Sequence, residues 1–181
     1  MPEAWNEEVV DFWFALAPEQ WWEAHPDLDQ EVRARFLGLW DEQRQCPVSE
    51  FLDDAETALA AIILFDQLPR NMFRGNADSF ATDHVALAIA KQAVERGYDE
   101  RYQQPKRGFF YMPFQHSEKL EDQQQSMLLF TALGDENQLH YARRHHDVIE
   151  RFGRFPHRND ILGRAPRADE LEAEDADPTK P

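Results

Sequence analysis

The sequence concentrates charged and titratable residues in three short segments, each beside an apolar or aromatic run. The first is DQLPRNMFR, residues 66–74, which follows the most apolar stretch of the chain. A charge in an apolar interior must be paired or must face a pocket, because burying it alone is costly. Two interpretations remain open: an Asp66–Arg70 ion pair with Asn71 capping the turn, or a pocket lined by these side chains. The candidate ligand-binding residues in this segment are Asp66, Gln67, Arg70, Asn71 and Arg74.

The second segment is FFYMPFQHSEKLEDQ, residues 109–123, in which polar residues follow a wall of aromatics. Ser117 as N-cap, with Glu118 in the first turn, is typical of ordinary helix capping. His116 beside them, with Glu118 and Asp122 spaced four residues apart, could instead bind a metal or transfer protons. We take His116 and Glu118 as candidate catalytic residues and assign no metal ligand.

The third segment is HYARRHHDVIERFGRFPHRN, residues 140–159. Arg143, Asp147 and Arg151 are spaced four residues apart, which predicts a ladder of ion pairs along one helix face. Further cations follow on a turn, where guanidinium groups could bind a carboxylate or phosphate, or could satisfy the carbonyls at the helix end. The candidate ligand-binding residues are Arg151, Arg154, Arg158 and Asn159, and His157 is a candidate catalytic residue.

The charge distribution supports an anion site in this last segment. The chain of 181 residues has a formal net charge of −16, which argues against nucleic-acid binding because that function normally needs a basic face. Residues 143–167 nevertheless contain seven arginines against three acids. We therefore expect an anionic small molecule or peptide as partner, and neither nucleic acid nor membrane.

The cellular compartment follows from the single cysteine and from the absence of long apolar runs. Cys46 cannot form an intramolecular disulfide, which favours a reducing compartment. The first apolar run has no positive leader and is interrupted by Asp11 and Pro18. We therefore expect it to be neither a signal peptide nor a membrane span. We expect a cytoplasmic protein.

The elements that must position these residues are helices. Apolar residues recur at helical spacing, and no run alternates with the period of two that marks a strand. The third helix should stop at Pro69, and Thr82 or Asp83 should cap the fourth. We expect one helical domain over residues 1–165 and an acidic, disordered tail over 166–181. The predicted helices cover about 6–17, 27–45, 54–68, 82–97, 117–134 and 136–152.

The blocks DQLPRNMFR, PFQHSE and RFGRFPHRN followed by LGR resemble the signature blocks of the bacterial domain of unknown function 924 family. The resemblance covers roughly residues 5–164 and brings no known activity with it. It implies an all-α fold of antiparallel helical hairpins, stacked in a tetratricopeptide-like superhelix or a compact bundle, although no 34-residue repeat consensus is present. The positions it carries over are Asp66, Gln67, Pro69, Arg70, Asn71, Arg74, His116, Ser117, Glu118, Arg151, Gly153, Arg154, Pro156, His157, Arg158 and Asn159.

Three classes of function are compatible with these residues. The leading hypothesis is a binding module whose pocket joins Arg70, Arg74, Arg154 and Arg158 around an anion. The second is an enzyme with His116 and His157 as acid and base and with Glu118 or Asp66 orienting them. The third is a protein-interaction scaffold, by fold analogy alone. The sequence contains no familiar nucleotide-binding, serine-hydrolase or zinc-protease motif, and it identifies no cofactor or oligomeric state.

Overall fold

The computed structural model describes residues 4–171 and 177–179. Within these ranges the regular structure is entirely helical, with no strand, which confirms the all-α prediction. The chain divides into two compact units, Met1–Pro113 and Phe114–Pro181. The expectation of one domain over residues 1–165 stays a prediction.

The helices, numbered in chain order, are joined by short turns, several of them single 3₁₀ turns. From the start of the chain they are α1 (Trp5–Ala15), α2 (Pro26–Gln43), α3 (Ala55–Ile62), α4 (Leu68–Met72), α5 (Asp83–Glu95), α6 (Lys106–Phe109), α7 (Met112–Gln115), α8 (Leu120–Leu133), α9 (Glu136–Phe152) and α10 (Ala168–Leu171).

Helix α3 forms the centre of the first unit. Its start is fixed by Asp54, whose side chain accepts hydrogen bonds from the backbone N–H groups of Glu56 and Thr57, both at 2.8 Å. From Ala58 to Phe65 every residue is fully buried. Alanine side chains on this helix allow α1 and α5 to approach it closely, and both pack against it.

The prediction that this helix stops at Pro69 is wrong. A π-helical turn, Ile63–Gln67, links α3 directly to α4, and Pro69 lies in the first turn of α4. Proline has no N–H to offer the carbonyl of Phe65 four residues earlier, but the Thr82 hydroxyl donates to that carbonyl at 2.7 Å. The same hydroxyl accepts a hydrogen bond from Trp40 Nε1 at 3.1 Å. Thr82 therefore supplies the hydrogen bond that Pro69 cannot donate to the Phe65 carbonyl. Its side chain makes no capping hydrogen bond to α5.

Helices α8 and α9 form an antiparallel hairpin in the second unit. As predicted, α8 ends at Gly134 (φ 76°) and α9 ends at Gly153 (φ 67°), both in the left-handed region that favours glycine. The Asp135 side chain accepts a hydrogen bond from Gln138 N–H at 3.0 Å and so fixes the start of α9. The buried apolar residues of this unit include Val148, Ile149, Phe152 and Phe155.

The predicted disordered tail is described only in part. Ala168–Leu171 forms the short helix α10, in which Glu170 is buried. Residues 172–176 and 180–181 lie outside the described residues, so disorder there stays a prediction. None of the helices in the described ranges is both long and apolar enough to cross a membrane.

Candidate functional site

The second and third segments of the sequence meet in the second unit, around the turn between α7 and α8. Gln123 Nε2, on α8, donates to the carbonyls of Gln115 and Ser117, both at 2.7 Å. Arg158 Nη2 donates to the intervening carbonyl of His116 at 3.1 Å. One side chain from α8 and one from the turn after α9 therefore hold three consecutive carbonyls.

Ser117 does not cap α8, contrary to the prediction. The N-cap position is Lys119, which makes no side-chain cap bond. Ser117 Oγ instead donates to Asp122 Oδ2 at 2.7 Å and accepts from Lys119 N–H at 3.2 Å. The hydroxyl thus stabilises the turn before the helix, two residues earlier than a cap would lie.

Glu118 fastens this turn to the segment that follows α9. Its carboxylate accepts hydrogen bonds from both terminal nitrogens of Arg164, at 2.8 and 3.0 Å, and from the backbone N–H of Phe155, at 2.7 Å. Burial alone would raise the pKa of Glu118, but the hydrogen bonds from Arg164 and Phe155 outweigh it, and the pKa lies below its ordinary value. The carboxylate is therefore ionised and serves to position the backbone.

Two histidines and one arginine lie against the buried ring of Phe155, and a third histidine lies beside one of them. The His145 and His157 rings each lie 5.5 Å from it between centroids, and Arg158 Cζ lies 4.7 Å from its centroid. The His116 ring lies 6.3 Å from that of His145. We call His116, His145, His157 and Arg158 the histidine–arginine cluster. The structure thus brings three predicted site residues together and adds His145.

Two of these imidazoles are neutral at neutral pH. Burial lowers the pKa of His145 to about 3, with His116 and Arg158 contributing in the same direction. Burial also lowers the pKa of His157 to about 4; Arg158 adds to this effect, while Asp177 opposes it. His145 Nδ1 lies 2.8 Å from the carbonyl of Tyr141, so that nitrogen carries the hydrogen. The surroundings of His145 and His157 therefore disfavour added positive charge.

Arg154 and Asn159 bind Glu170, a residue that the sequence analysis did not single out. Arg154 Nε and Nη2 donate to the two oxygens of Glu170 at 2.6 and 2.8 Å, and Asn159 Nδ2 donates to Oε2 at 3.0 Å. The hydrogen bond from Arg154, helped by the N–H of Arg167, lowers the pKa of Glu170 to about 2. Only the excess of arginine over residues 143–167 indicated that an acid from elsewhere was needed.

Arg151 has a different environment from the other candidate arginines. It is exposed on α9, and its Cζ lies 4.7 Å from the centroid of the Phe152 ring. With Arg144, Asp147, Val148 and Phe152 it lines a shallow cleft of about 130 Å³.

A set of side chains that could hold a metal ion lies on α9. Atoms of His146, Asp147 and Glu150 lie within 4.8 Å of one another, and in the described residues these three form the one such set. Asp147 and Glu150 are exposed, and exposed acids commonly group in this way without a metal. The histidine–arginine cluster does not form a closed ligand set of this kind.

Arg70 of the first segment lies in the first unit and pairs with two aspartates. It donates to both oxygens of Asp83 at 3.0 and 3.1 Å, and its Nη1 lies 3.4 Å from a carboxylate oxygen of Asp66. The same nitrogen bonds the backbone carbonyl of Asp66, and Gln67 Nε2 bonds the Asp66 carboxylate. The Asp66–Arg70 ion pair therefore exists, but Asp83 is the bidentate partner.

Arg74 and Asn71 share a single aspartate from α2. Arg74 Nε and Nη2 donate to Asp29 at 2.6 and 2.9 Å, and Asn71 Nδ2 donates to Asp29 Oδ1 at 2.8 Å. The prediction that Asn71 caps the turn is wrong, because its amide bonds α2 instead. Both candidate arginines of the first unit are thus engaged by aspartates, and a pocket that joins them to Arg154 and Arg158 stays a prediction.

The buried polar atoms of the second unit that have no hydrogen-bond partner within the described ranges include Gln115 Oε1, Gln123 Oε1 and Ser126 Oγ. Their side chains are at most 5% exposed. An unsatisfied buried group costs about 1–3 kcal/mol, so each one requires an explanation. The first unit also contains such atoms, among them both side-chain polar atoms of Gln43.

Comparison with known proteins confirms the resemblance drawn from the signature blocks. The family model described as "Bacterial protein of unknown function (DUF924)" matches residues 9–175. A solved structure, described as "Structure of Protein of Unknown Function ATU0120 from Agrobacterium tumefaciens", is similar with a TM-score of 0.88 and 38% sequence identity. That match covers 93% of this chain and 96% of the other. No curated protein matches the chain.

Proposed function

Because the chain belongs to the bacterial family of unknown function DUF924, we propose its function from the site alone. The protein is a binding module that holds an anionic small molecule or a peptide terminus at the histidine–arginine cluster. The observation that carries the proposal is the position of Arg158, which is only 7% exposed and lies over Phe155 beside the buried His145 and the half-buried His157. A buried guanidinium with the neutral imidazole of His157 nearby as a donor suits a carboxylate or phosphate.

The other candidate arginines have a structural role in this proposal. Arg70, Arg74 and Arg154 each hold a carboxylate of the same unit through two hydrogen bonds. Displacing such a partner would leave a buried or half-buried carboxylate unpaired, at a cost that a weak ligand cannot offset. We assign ligand contact to Arg158 because it lies over Phe155 within the cluster, with His157 as the neighbouring hydrogen-bond donor; the hydrogen of His145 is already engaged by the Tyr141 carbonyl.

The test follows histidine resonances by NMR while inorganic phosphate is added to the full chain. An anion beside the cluster favours the protonated imidazole, so the pKa of His157 should rise from about 4, by about one pH unit or more. The rise should vanish in Arg158→Gln and persist in Arg143→Gln, an exposed arginine of α9. If Arg158→Gln does not fold, Arg158→Lys keeps the charge but loses the planar fork. Unchanged histidine titrations in the wild type would contradict the proposal.

An acid–base enzyme is the alternative, and one observation favours it. His116 and His145 lie 6.3 Å apart between ring centroids, and His157 belongs to the same cluster. General acid–base catalysis is most effective when the pKa lies near the working pH. The pKa of about 4 for His157 is far below that range, which favours binding over catalysis unless a bound anion raises it. A cytoplasmic location completes the proposal and draws on the lone Cys46.

A further inference from the structure

We propose that the ligand of the second unit carries an N–H donor next to its anionic group, as an α-amino acid or a peptide C terminus does. The inference rests on the proposed anion site at Arg158 and identifies the second half of the ligand. It follows from three buried polar atoms that have no hydrogen-bond partner within the described ranges: Gln115 Oε1, Gln123 Oε1 and Ser126 Oγ. Two of these atoms can only accept hydrogen bonds, and the third can also accept one.

The orientation of the Gln123 amide is fixed by its hydrogen bonds. Its Nε2 donates to the carbonyls of Gln115 and Ser117 at 2.7 Å and lies 3.4 Å from that of Phe114. A flipped amide would place oxygen against carbonyl oxygens, so Oε1 must be the atom directed away from this turn. Gln123 is fully buried, and its Oε1 is therefore an acceptor that the surrounding described residues leave unused.

Ser126 extends this acceptor along α8. It lies three residues after Gln123, so the two side chains share a face of the helix. A helical serine often bonds the carbonyl four residues earlier, but Ser126 Oγ, which is fully buried, has no partner in the described ranges. Gln115, whose own carbonyl Gln123 binds, contributes the third unused atom. We call Gln115 Oε1, Gln123 Oε1 and Ser126 Oγ together the acceptor row.

Gln123, which belongs to the acceptor row, and Arg158, which belongs to the proposed anion site, bind the same turn. Arg158 donates to the carbonyl of His116, and Gln123 donates to the carbonyls of the residues on either side of it. Consecutive Cα atoms are only about 3.8 Å apart, so the guanidinium and the amide engage the same short turn. A ligand with a carboxylate and an N–H group on the neighbouring carbon matches this arrangement of a cation beside neutral acceptors.

The test compares three probes that share a carboxylate and a three-carbon skeleton. Alanine adds an ammonium group, N-acetylalanine adds an amide N–H as in a peptide C terminus, and propionate adds neither. Binding of each to the full chain is measured by NMR titration. Alanine or N-acetylalanine should bind at least about tenfold more tightly than propionate, because hydrogen bonds involving a charged group are strong. Preference for alanine identifies free amino acids, and preference for N-acetylalanine identifies peptide termini.

Variants separate recognition from folding. Ser126→Ala removes an unpartnered hydroxyl, so it should not lower the melting temperature but should reduce the preference over propionate. Thr131→Ala is the matched control on α8, since that hydroxyl is exposed and already bonds the carbonyl of Met127 at 2.7 Å. Gln115→Met, which keeps the side-chain length, provides a second variant if Ser126→Ala does not fold.

The outcomes distinguish this inference from the function on which it rests. Equal binding of the three probes, with phosphate still raising the pKa of His157, would overturn the inference and leave the anion site intact. A preference unaffected by both Ser126→Ala and Gln115→Met would overturn it as well. If neither phosphate nor any of the three carboxylates changes the NMR resonances or pKa of any histidine, the proposed function is contradicted, and the inference that rests on it fails too.

Discussion

Glu118 and Arg164, 46 positions apart in the chain, form a two-pronged ion pair with N–O distances of 2.8 and 3.0 Å. The pair joins the turn before α8 to the segment after α9, and the backbone N–H of Phe155 donates to the same carboxylate. Because Phe155 is the ring around which the histidine–arginine cluster assembles, this ion pair positions the site without belonging to it.

The ion pair should stabilise the fold measurably. Glu118→Gln should lower the free energy of unfolding by about 1–2 kcal/mol, since the pair is bidentate but both side chains remain about one-quarter exposed. Chemical denaturation provides the measurement, and Glu121→Gln, at an exposed position of α8, provides the control. A double-mutant cycle with Arg164→Gln should give a favourable coupling energy; additive effects would show that the two side chains act independently.

The buried histidine should make the protein less stable in mild acid. The pKa of His145 is about 3 in the folded chain and about 6.5 when unfolded, so between these values the unfolded chain binds more protons. Stability is therefore fully present above pH 6.5 and falls as the pH drops towards 3. His145 should contribute a loss of about 2 kcal/mol between pH 7 and pH 5.

Denaturation curves at half-unit pH intervals measure that loss. His145→Gln, which can still donate to the Tyr141 carbonyl, should flatten the profile between pH 7 and pH 5. His140→Gln, at an exposed position of α9, should leave the slope unchanged. A slope that survives His145→Gln would assign the effect to other groups.

Glu170 should control stability at lower pH. Its pKa of about 2 in the folded chain lies below the unfolded value of about 4.3, so the folded chain holds this carboxylate ionised. The contribution is present above about pH 4.3 and is lost as the pH falls through 2. Glu170→Gln should flatten the unfolding profile in that window, whereas Asp169→Asn, on an exposed neighbour, should not. A parallel response of the two variants would show that the Arg154–Glu170 pair does not couple to folding.

The Thr82 hydroxyl should be required for the helix that runs through Pro69. Thr82→Val keeps the shape but leaves the Phe65 carbonyl and Trp40 Nε1 without their bonds, which should cost about 1–3 kcal/mol for each unsatisfied group. Thermal and chemical denaturation measure this loss. Thr82→Ser, which restores a hydroxyl, should recover most of it; equal losses in both variants would point to packing by the methyl group instead.

Much of the helical framework could be predicted because its signals are local. Gly134 and Gly153 end α8 and α9 through left-handed backbone angles that glycine adopts readily. The apolar, alanine-rich run after Asp54 predicted a buried helix, and residues 58–65 are fully buried. The prediction at Pro69 was wrong because proline breaks a helix only where no other group bonds the freed carbonyl. The group that bonds the Phe65 carbonyl, the Thr82 hydroxyl, lies 17 positions away in the sequence and so gives no local signal.

The candidate site was predicted by residue type but not by partner. The sequence by itself determined that the arginines had to meet carboxylates or a ligand, since buried guanidinium groups cannot stay unpaired. Only the tertiary structure decided which arginines meet which acids: Asp83 for Arg70, Asp29 for Arg74 and Glu170 for Arg154. It also decided that His145 joins His157 and Arg158 around Phe155. The physical reason is that helix ends depend on neighbours within a few residues, whereas ion pairs and buried clusters depend on chain packing between positions up to 46 residues apart.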